Sequence, residues 1–252
     1  MKEFQNLISE SFEKDDFQLY KFRGTWLSNI SDSKRNNKIC LQIHDLGAIF
    51  YEIKCIIKRI NDDLMKLNSR RDLLDIVDDI NLTEEEKDSL IEEHLDLDVF
   101  INYLIIDIKS LYVWLLIFLD KIPEMTLTTF QYNQKGIKDD SYNNFIETIK
   151  NSEHNRLKEL YIIFNVYDEY FQNVRKIRHH YTIHKSKITL PGMTTTQKRD
   201  YFSITLSTYK KEYAPIIVLD NELINSHLLL LKSFLRDLNG YLCKNIKEMP
   251  FK

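Results

Sequence analysis

The feature that most constrains the fold is a run of apolar residues at three- and four-residue spacing between about positions 38 and 67. Its members are Leu46, Ile49, Phe50, Ile53, Ile57 and Ile60. This spacing places the apolar side chains along one face of an α-helix. Glycine and proline occur only 5 and 4 times in 252 residues, which favours long helices over a loop-rich β fold. We therefore expect a mainly α protein.

The middle of the chain continues this helical pattern. Thr83 and Glu86 have the spacing of a capping box, which predicts a short acidic helix over 83–94. A second helix is expected over 96–122, ending before Pro123, because a residue that precedes proline disfavours the helical conformation.

A longer helix is predicted from Glu153 onward, with Ser152 as its N-cap. Its apolar side chains form a stripe that is rich in aromatic residues. Large side chains recur on it every seven residues, at Leu157, Phe164, Phe171 and Arg178. The stripe therefore brings Arg178 to the buried or interface side of the helix, where its charge needs a carboxylate or an anionic ligand.

After this helix, apolar and polar residues alternate instead of recurring at helical spacing. Residues 187–191, 200–209 and 215–220 read as short strands, so we expect a small antiparallel β insertion over 187–219. A last helix should follow, capped by Asp220 and reaching about residue 247. We interpret 1–252 as one domain, with residues 1–37 as an N-terminal extension.

One apolar run, 99–119, is long enough to span a bilayer. Asp107 and Lys109 lie at its centre, where each would cost roughly 2.5–3.5 kcal/mol on insertion scales. We expect a buried or interface helix and no membrane association. The N-terminus lacks the apolar core of a signal peptide, and the three cysteines are widely spaced. A reduced, cytoplasmic protein is expected.

The net charge of −3 hides a strong asymmetry along the chain. Residues 61–98 carry 14 acidic against four basic side chains, whereas residues 171–211 carry nine basic against one acidic. Such a basic segment is typical of nucleic-acid binding, although ordinary solvated lysines produce the same pattern. The candidate RNA-binding residues in it are Arg175, Lys176, Lys185 and Lys187.

Within the basic segment, an arginine and a histidine are separated by five residues, at Arg178 and His184, and His179 follows the arginine. An imidazole can move the proton of a ribose 2′-hydroxyl, and a guanidinium can neutralise the charge that develops on the phosphate. On one continuous helix the two would differ by about 240°. Either the helix ends between them or a second subunit completes the site.

This segment resembles the Arg-x(4–6)-His signature of the HEPN superfamily (higher eukaryotes and prokaryotes nucleotide-binding domain). Arg178 and His184 match the family's arginine and histidine, and His179 stands where the family favours a polar residue. A second pairing, Arg175 with His180, has the same type of spacing, but Lys176 follows that arginine. The resemblance implies an HEPN-like helical bundle that forms a homodimer and brings two motifs to one cleft.

The resemblance also implies a function. The chain would be a metal-independent endoribonuclease without a cofactor, acting as a toxin or an antiviral defence effector that an inhibitory or activating protein partner controls. His184 would act as general base or acid, Arg178 would stabilise the phosphate charge, and His179 would orient the phosphate.

Two alternatives stay open. His180 and His184 have helical spacing and could bind a metal ion, although no acidic partner lies nearby in the sequence. The domain could also bind RNA or form dimers without cleaving RNA, with Arg178 in a polar network and Asp107 as its candidate partner. His227, among the leucines of the last helix, is expected to be a core histidine.

Overall fold

The computed structural model describes Leu19 and residues 33–69, 83–130, 142–178, 204–206, 217–219 and 221–245. These residues form helices α1 (Ser33–Ser69), α2 (Glu84–Phe130), α3 (Tyr142–Asn151), α4 (Asn155–Val166), α5 (Asp168–Ile177) and α6 (Asn221–Asn245). Strands β1 (Ile204–Leu206) and β2 (Ile217–Leu219) pair antiparallel, with Thr205 opposite Val218. The mainly α class is therefore confirmed. Most of the predicted β insertion lies outside the described residues.

Helix α1 has the apolar face that its sequence predicts. All six residues of the three/four-spaced run are buried, and Ile39, Ile43, Leu64 and Leu67 extend the same face. The helix begins at Ser33 rather than near residue 38, so the last residues of the predicted N-terminal extension are helical.

The two helices predicted over 83–94 and 96–122 are one continuous helix, α2, so that prediction was wrong. No glycine or proline separates the two segments, and nothing in the backbone chemistry forces a break between them. Helix α2 also continues through Pro123 to Phe130. A proline inside a helix removes one hydrogen bond and bends the axis without ending the helix where packing holds the next turn.

The last turn of α2 is held by a side chain from α1. Arg35 donates from Nε to the carbonyl oxygen of Thr128 at 3.3 Å, and from Nη2 to the carbonyl oxygen of Thr129. The final carbonyls of a helix have no partner within it, so Arg35 acts as a C-terminal cap. Gln42 adds hydrogen bonds to Glu124 at 2.9 Å and to the hydroxyl of Thr128 at 3.3 Å.

The predicted long helix after Ser152 is two helices, α4 and α5, that meet at Tyr167. Tyr167 has φ −106° and ψ 4°, and its N–H bonds to the carbonyl of Phe164 at 3.1 Å. Asp168 and Glu169 follow at once, and acids favour a new helix N-terminus. The N-cap of α4 is His154 rather than Ser152: its Nδ1 accepts from the N–H of Arg156, while the Ser152 hydroxyl accepts from the N–H of His154.

The described chain divides into two compact units. The first unit comprises the described parts of 33–54, 113–176 and 226–245, and the second comprises those of 55–112 and 177–225. Aromatic rings dominate the core of the first unit. Phe164, Phe171 and Phe234 lie at its centre, with ring centroids 5.0 to 5.1 Å from Phe234 to the other two.

The second unit has an aliphatic core with a few polar pairs. Its buried residues include Ile57, Ile60, Leu64, Leu104, Ile108 and Leu111. Asn61 donates its amide to the Asn225 side chain at 2.8 Å, so this buried polar group is satisfied. Arg59 binds the Asp107 carboxylate through two hydrogen bonds, at 2.9 and 2.8 Å.

Candidate functional site

Three of the predicted site residues lie in the described part of the chain: Arg175, Lys176 and Arg178. The other five, His179, His180, His184, Lys185 and Lys187, lie outside it. The distance in space between Arg178 and His184 is therefore not described, and their meeting at one site stays a prediction.

Arg178 directly follows the last residue of α5 and is half-buried in the second unit. Its Nε atom is buried, which agrees with the buried or interface side that its heptad position predicts. Asp107, the carboxylate that the sequence offered as its partner, instead accepts two hydrogen bonds from Arg59. That part of the non-catalytic interpretation was wrong.

Arg175 has a more unusual environment, in the first unit. Its side chain comes from the last turn of α5, and its guanidinium carbon lies 5.8 Å from the centroid of the Tyr142 ring. Arginine stacks on aromatic faces because the ring face is electronegative. The residue is half-buried, and its Nη1 atom is buried and makes no hydrogen bond to the described residues.

Tyr142, the first residue of α3, also has a buried polar atom without a hydrogen bond to the described residues. It is fully buried, its ring packs edge-on against Phe171 at 5.2 Å, and its hydroxyl makes no hydrogen bond within the described chain. Burial raises the pKa of Tyr142 above its ordinary value, the Asp168 carboxylate raises it further, and Arg175 opposes the rise. The phenol stays protonated and can donate a hydrogen bond.

Two donors without an acceptor thus lie on neighbouring elements, on Arg175 and on Tyr142. The Asp168 carboxylate, which acts on Tyr142 electrostatically, already accepts from Gln172 Nε2 at 3.4 Å, and Gln172 Nε2 also donates to Asn143 Oδ1 at 3.4 Å. A buried donor left unsatisfied costs about 1–3 kcal/mol, and more when it is charged. An anionic oxygen would satisfy such a donor.

Sequence reasoning missed Tyr142. It proposed Arg175 only as one of several basic residues, and nothing in the spacing of the chain links residue 142 to residue 175. Lys176, next to Arg175, is exposed, as an RNA-binding lysine would be, but exposure alone does not test that role.

His227 is the described histidine with the most perturbed titration. It is buried in α6, its Nδ1 lies 3.2 Å from the Tyr170 hydroxyl, and burial lowers its pKa from 6.5 to about 4. It is neutral at pH 7 and belongs to the core, so the sequence prediction is confirmed.

The described residues contain no group of three or more metal-binding side chains. The alternative metal ligands His180 and His184 lie outside the described residues, so metal binding by them stays a prediction. Cys40, Cys55 and Cys243 are all half-buried free thiols.

In the part of the chain that is described, Val99–Phe130 is long and apolar enough to cross a bilayer, with a mean hydropathy of 1.6. Core helices of soluble proteins meet the same criteria. Comparison of the chain with protein-family models, with curated proteins and with solved structures finds no match.

Proposed function

We propose that this protein is an RNA-binding, metal-independent endoribonuclease of the HEPN type. The observation that supports phosphate binding is the buried Nη1 of Arg175, which has no acceptor among the described residues, while its guanidinium carbon lies 5.8 Å from the centroid of the Tyr142 ring. A phosphate oxygen would supply the missing acceptor, and arginine is well suited to phosphate.

The position of Arg175 in the sequence connects this observation to RNA. It lies in the segment with nine basic residues against one acid, and Arg178 follows three residues later. A basic segment supplies the salt-dependent attraction that nucleic-acid binding needs. We propose that Arg175 and Lys176 hold the RNA backbone, together with Lys185 and Lys187.

The proposed chemistry follows the HEPN resemblance. His184 removes the proton of a ribose 2′-hydroxyl, and the 2′-oxygen forms a bond to the adjacent phosphorus. The bond from phosphorus to the 5′-oxygen breaks, and an imidazolium, in a dimer the second His184, protonates that oxygen. The products are a 2′,3′-cyclic phosphate and a 5′-hydroxyl. Arg178 neutralises the charge on the phosphate, and His179 orients the phosphate.

RNA binding without cleavage is the second candidate. The environment of Arg175 favours it specifically, because this observation supports binding of a phosphate, whereas the histidine proposed for catalysis, His184, lies outside the described residues. The resemblance places both candidates in toxin or antiviral settings, with a protein partner that restrains or activates the chain. Those settings belong to the proposal.

The test is incubation of wild type with total RNA and tRNA in EDTA, followed by analysis of the new ends. We expect cyclic phosphate ends from wild type, and a loss of about 100-fold or more in rate for His184→Ala. Arg175→Ala should weaken RNA binding about tenfold, the equivalent of one charge-assisted hydrogen bond.

Arg236→Ala is the matched control for Arg175, since Arg236 is an exposed arginine of the same unit that pairs with its neighbour Asp237. It should leave RNA binding unchanged. Full cleavage by His184→Ala, or cleavage that requires added metal, would contradict the nuclease. Equal RNA affinity of the Arg175→Ala and Arg236→Ala proteins would contradict the phosphate-binding role. RNA binding by wild type with no cleavage would favour the second candidate.

A further inference from the structure

Helix α2 carries apolar side chains on a face that the described residues leave exposed. Val99, Tyr103 and Ile106 are 54%, 64% and 55% exposed. Their neighbours Leu104, Ile105 and Ile108 are buried in the core of the second unit. A helix with one face in its own core and a second apolar face in solvent exposes area that usually marks an interaction site.

The exposed residues follow the spacing of a coiled-coil seam. Steps of four, three, four, three and four residues along α2 give the α2 stripe: Val99, Tyr103, Ile106, Ser110, Val113 and Ile117. Alternation of four and three keeps side chains on one line facing a partner helix. The last three of these residues are half-buried.

The one polar member of the stripe does not oppose close packing. Ser110 donates its hydroxyl to the carbonyl of Ile106 at 2.8 Å, within its own helix. Its hydrogen-bond donor is therefore satisfied, and a partner helix would meet a small side chain there.

The spacing of the stripe is also symmetric about position 108. If a second α2 lies antiparallel across that point, Val99 meets the partner's Ile117, Tyr103 meets the partner's Val113, and Ile106 meets the partner's Ser110. In each of the last two pairs a larger side chain faces a smaller one, which suits interdigitation. Such a contact is isologous, so it closes at two copies.

The charged side chains at the edge of the α2 stripe also complement those of a second copy. Asp107 lies next to the centre of symmetry and is paired with Arg59, whose side chain is 53% exposed. A two-fold axis beside Asp107 brings the Arg59–Asp107 pair of one copy to the same pair of the other. Each arginine then meets two carboxylates, and each carboxylate meets two arginines.

We propose that the α2 stripe is the interface on which a second copy of this chain docks. A lipid surface fits less well, because Asp107 borders the stripe and Lys109 follows Ile106 by three residues, and charges are costly in hydrocarbon. This proposal rests on α2 and on the Arg59–Asp107 pair, and is independent of any nuclease activity.

The first test measures mass by light scattering across a concentration series of the full chain. Wild type should approach twice the 30.3 kDa of one chain, and Tyr103→Glu combined with Ile106→Glu should stay at one chain. The control is Ile162→Glu on α4, an apolar residue with the similar exposure of 62% outside the stripe. It should dimerise like wild type. A monomeric wild type, or a dimer that the stripe variant keeps, overturns the proposal.

The second test uses charge exchange and guards against simple unfolding. Arg59→Glu and Asp107→Lys should each raise the dimer dissociation constant at least tenfold, because each places like charges together. An equal mixture of the two proteins should recover the dimer, since each altered charge then meets its opposite on the other copy. No recovery overturns the two-fold arrangement. Co-sedimentation of monomeric wild type with phosphatidylcholine–phosphatidylglycerol vesicles would instead assign the stripe to lipid.

Discussion

At the residue scale, His227 shows how burial of a titratable group makes the free energy of unfolding depend on pH. Its folded pKa is lowered from 6.5 to about 4 by burial, so between these pH values the unfolded chain binds the extra proton. The free energy of unfolding must therefore fall as the pH drops through this window. At 1.36 kcal/mol per pKa unit, the loss reaches about 3 kcal/mol.

His227→Gln separates this effect from the carboxylates that titrate in the same range. Glutamine stays neutral, so chemical denaturation at pH 7.5 and pH 4.5 should show a smaller fall for the variant than for wild type. An equal fall in both proteins would mean that His227 is not the buried, neutral group that its contact with Tyr170 indicates.

Two buried tyrosines provide a matched comparison of hydroxyl groups. The Tyr241 hydroxyl donates to the carbonyl of Arg156 at 2.5 Å, whereas the Tyr142 hydroxyl has no hydrogen bond to the described residues. Without RNA, Tyr241→Phe should lower the free energy of unfolding by about 1 kcal/mol, and Tyr142→Phe should leave it unchanged or raise it. Urea denaturation measures both. A comparable loss in Tyr142→Phe would show that its hydroxyl is already satisfied.

The same residues show how far the sequence predicts the site. The heptad spacing from Leu157 correctly placed Arg178 at the end of an apolar stripe, because a stripe depends only on local periodicity. It could not reveal Tyr142 beside Arg175, since that contact depends on how α3 packs against α5. The pairing of Arg59 with Asp107 was missed for the same reason: it joins residues 48 apart in sequence.

At the scale of elements, the contact between Arg35 and the end of α2 should be measurable. Arg35→Ala removes the two hydrogen bonds that Thr128 and Thr129 receive at their carbonyls. We expect a loss of about 1–2 kcal/mol in the free energy of unfolding, as for other hydrogen bonds to charged groups. Lys38→Ala on the same helix is the control, because its nitrogen lies 4.0 Å from Glu124 at an exposed position. Equal effects of the two changes would argue against a specific cap.

Helix existence was predictable, and helix boundaries were much less so. The apolar faces of α1 and α6 follow from spacing alone, and both helices were expected. Pro123 was misread because its local signal competes with tertiary contacts, and Ser152 because the nearby His154 side chain competes with it for the N-cap position. Helix α2 passes its proline where Gln42 and Arg35 hold the following turn. His154 rather than Ser152 caps α4, because both residues can accept from backbone N–H groups there.

At the scale of the whole molecule, the mainly α class followed from composition and periodicity. The division into two compact units did not, since α1 and α2 each continue from one unit into the other without any break in sequence pattern. Linker composition is the usual signal of a boundary, and a boundary inside a helix has no such signal. A sequence can therefore read as one domain while its contacts cluster in two.

The late position of α6 has a consequence for biosynthesis. Phe234 completes the ring cluster formed by Phe164, Tyr167 and Phe171, yet it is translated some 60 residues after them. Until α6 has left the ribosome, these rings have no partner on their open side, and the nascent chain exposes them to chaperones and to aggregation. The order of translation thus delays the appearance of the folded protein, for which we propose RNA as the substrate, until after α6 has been synthesised.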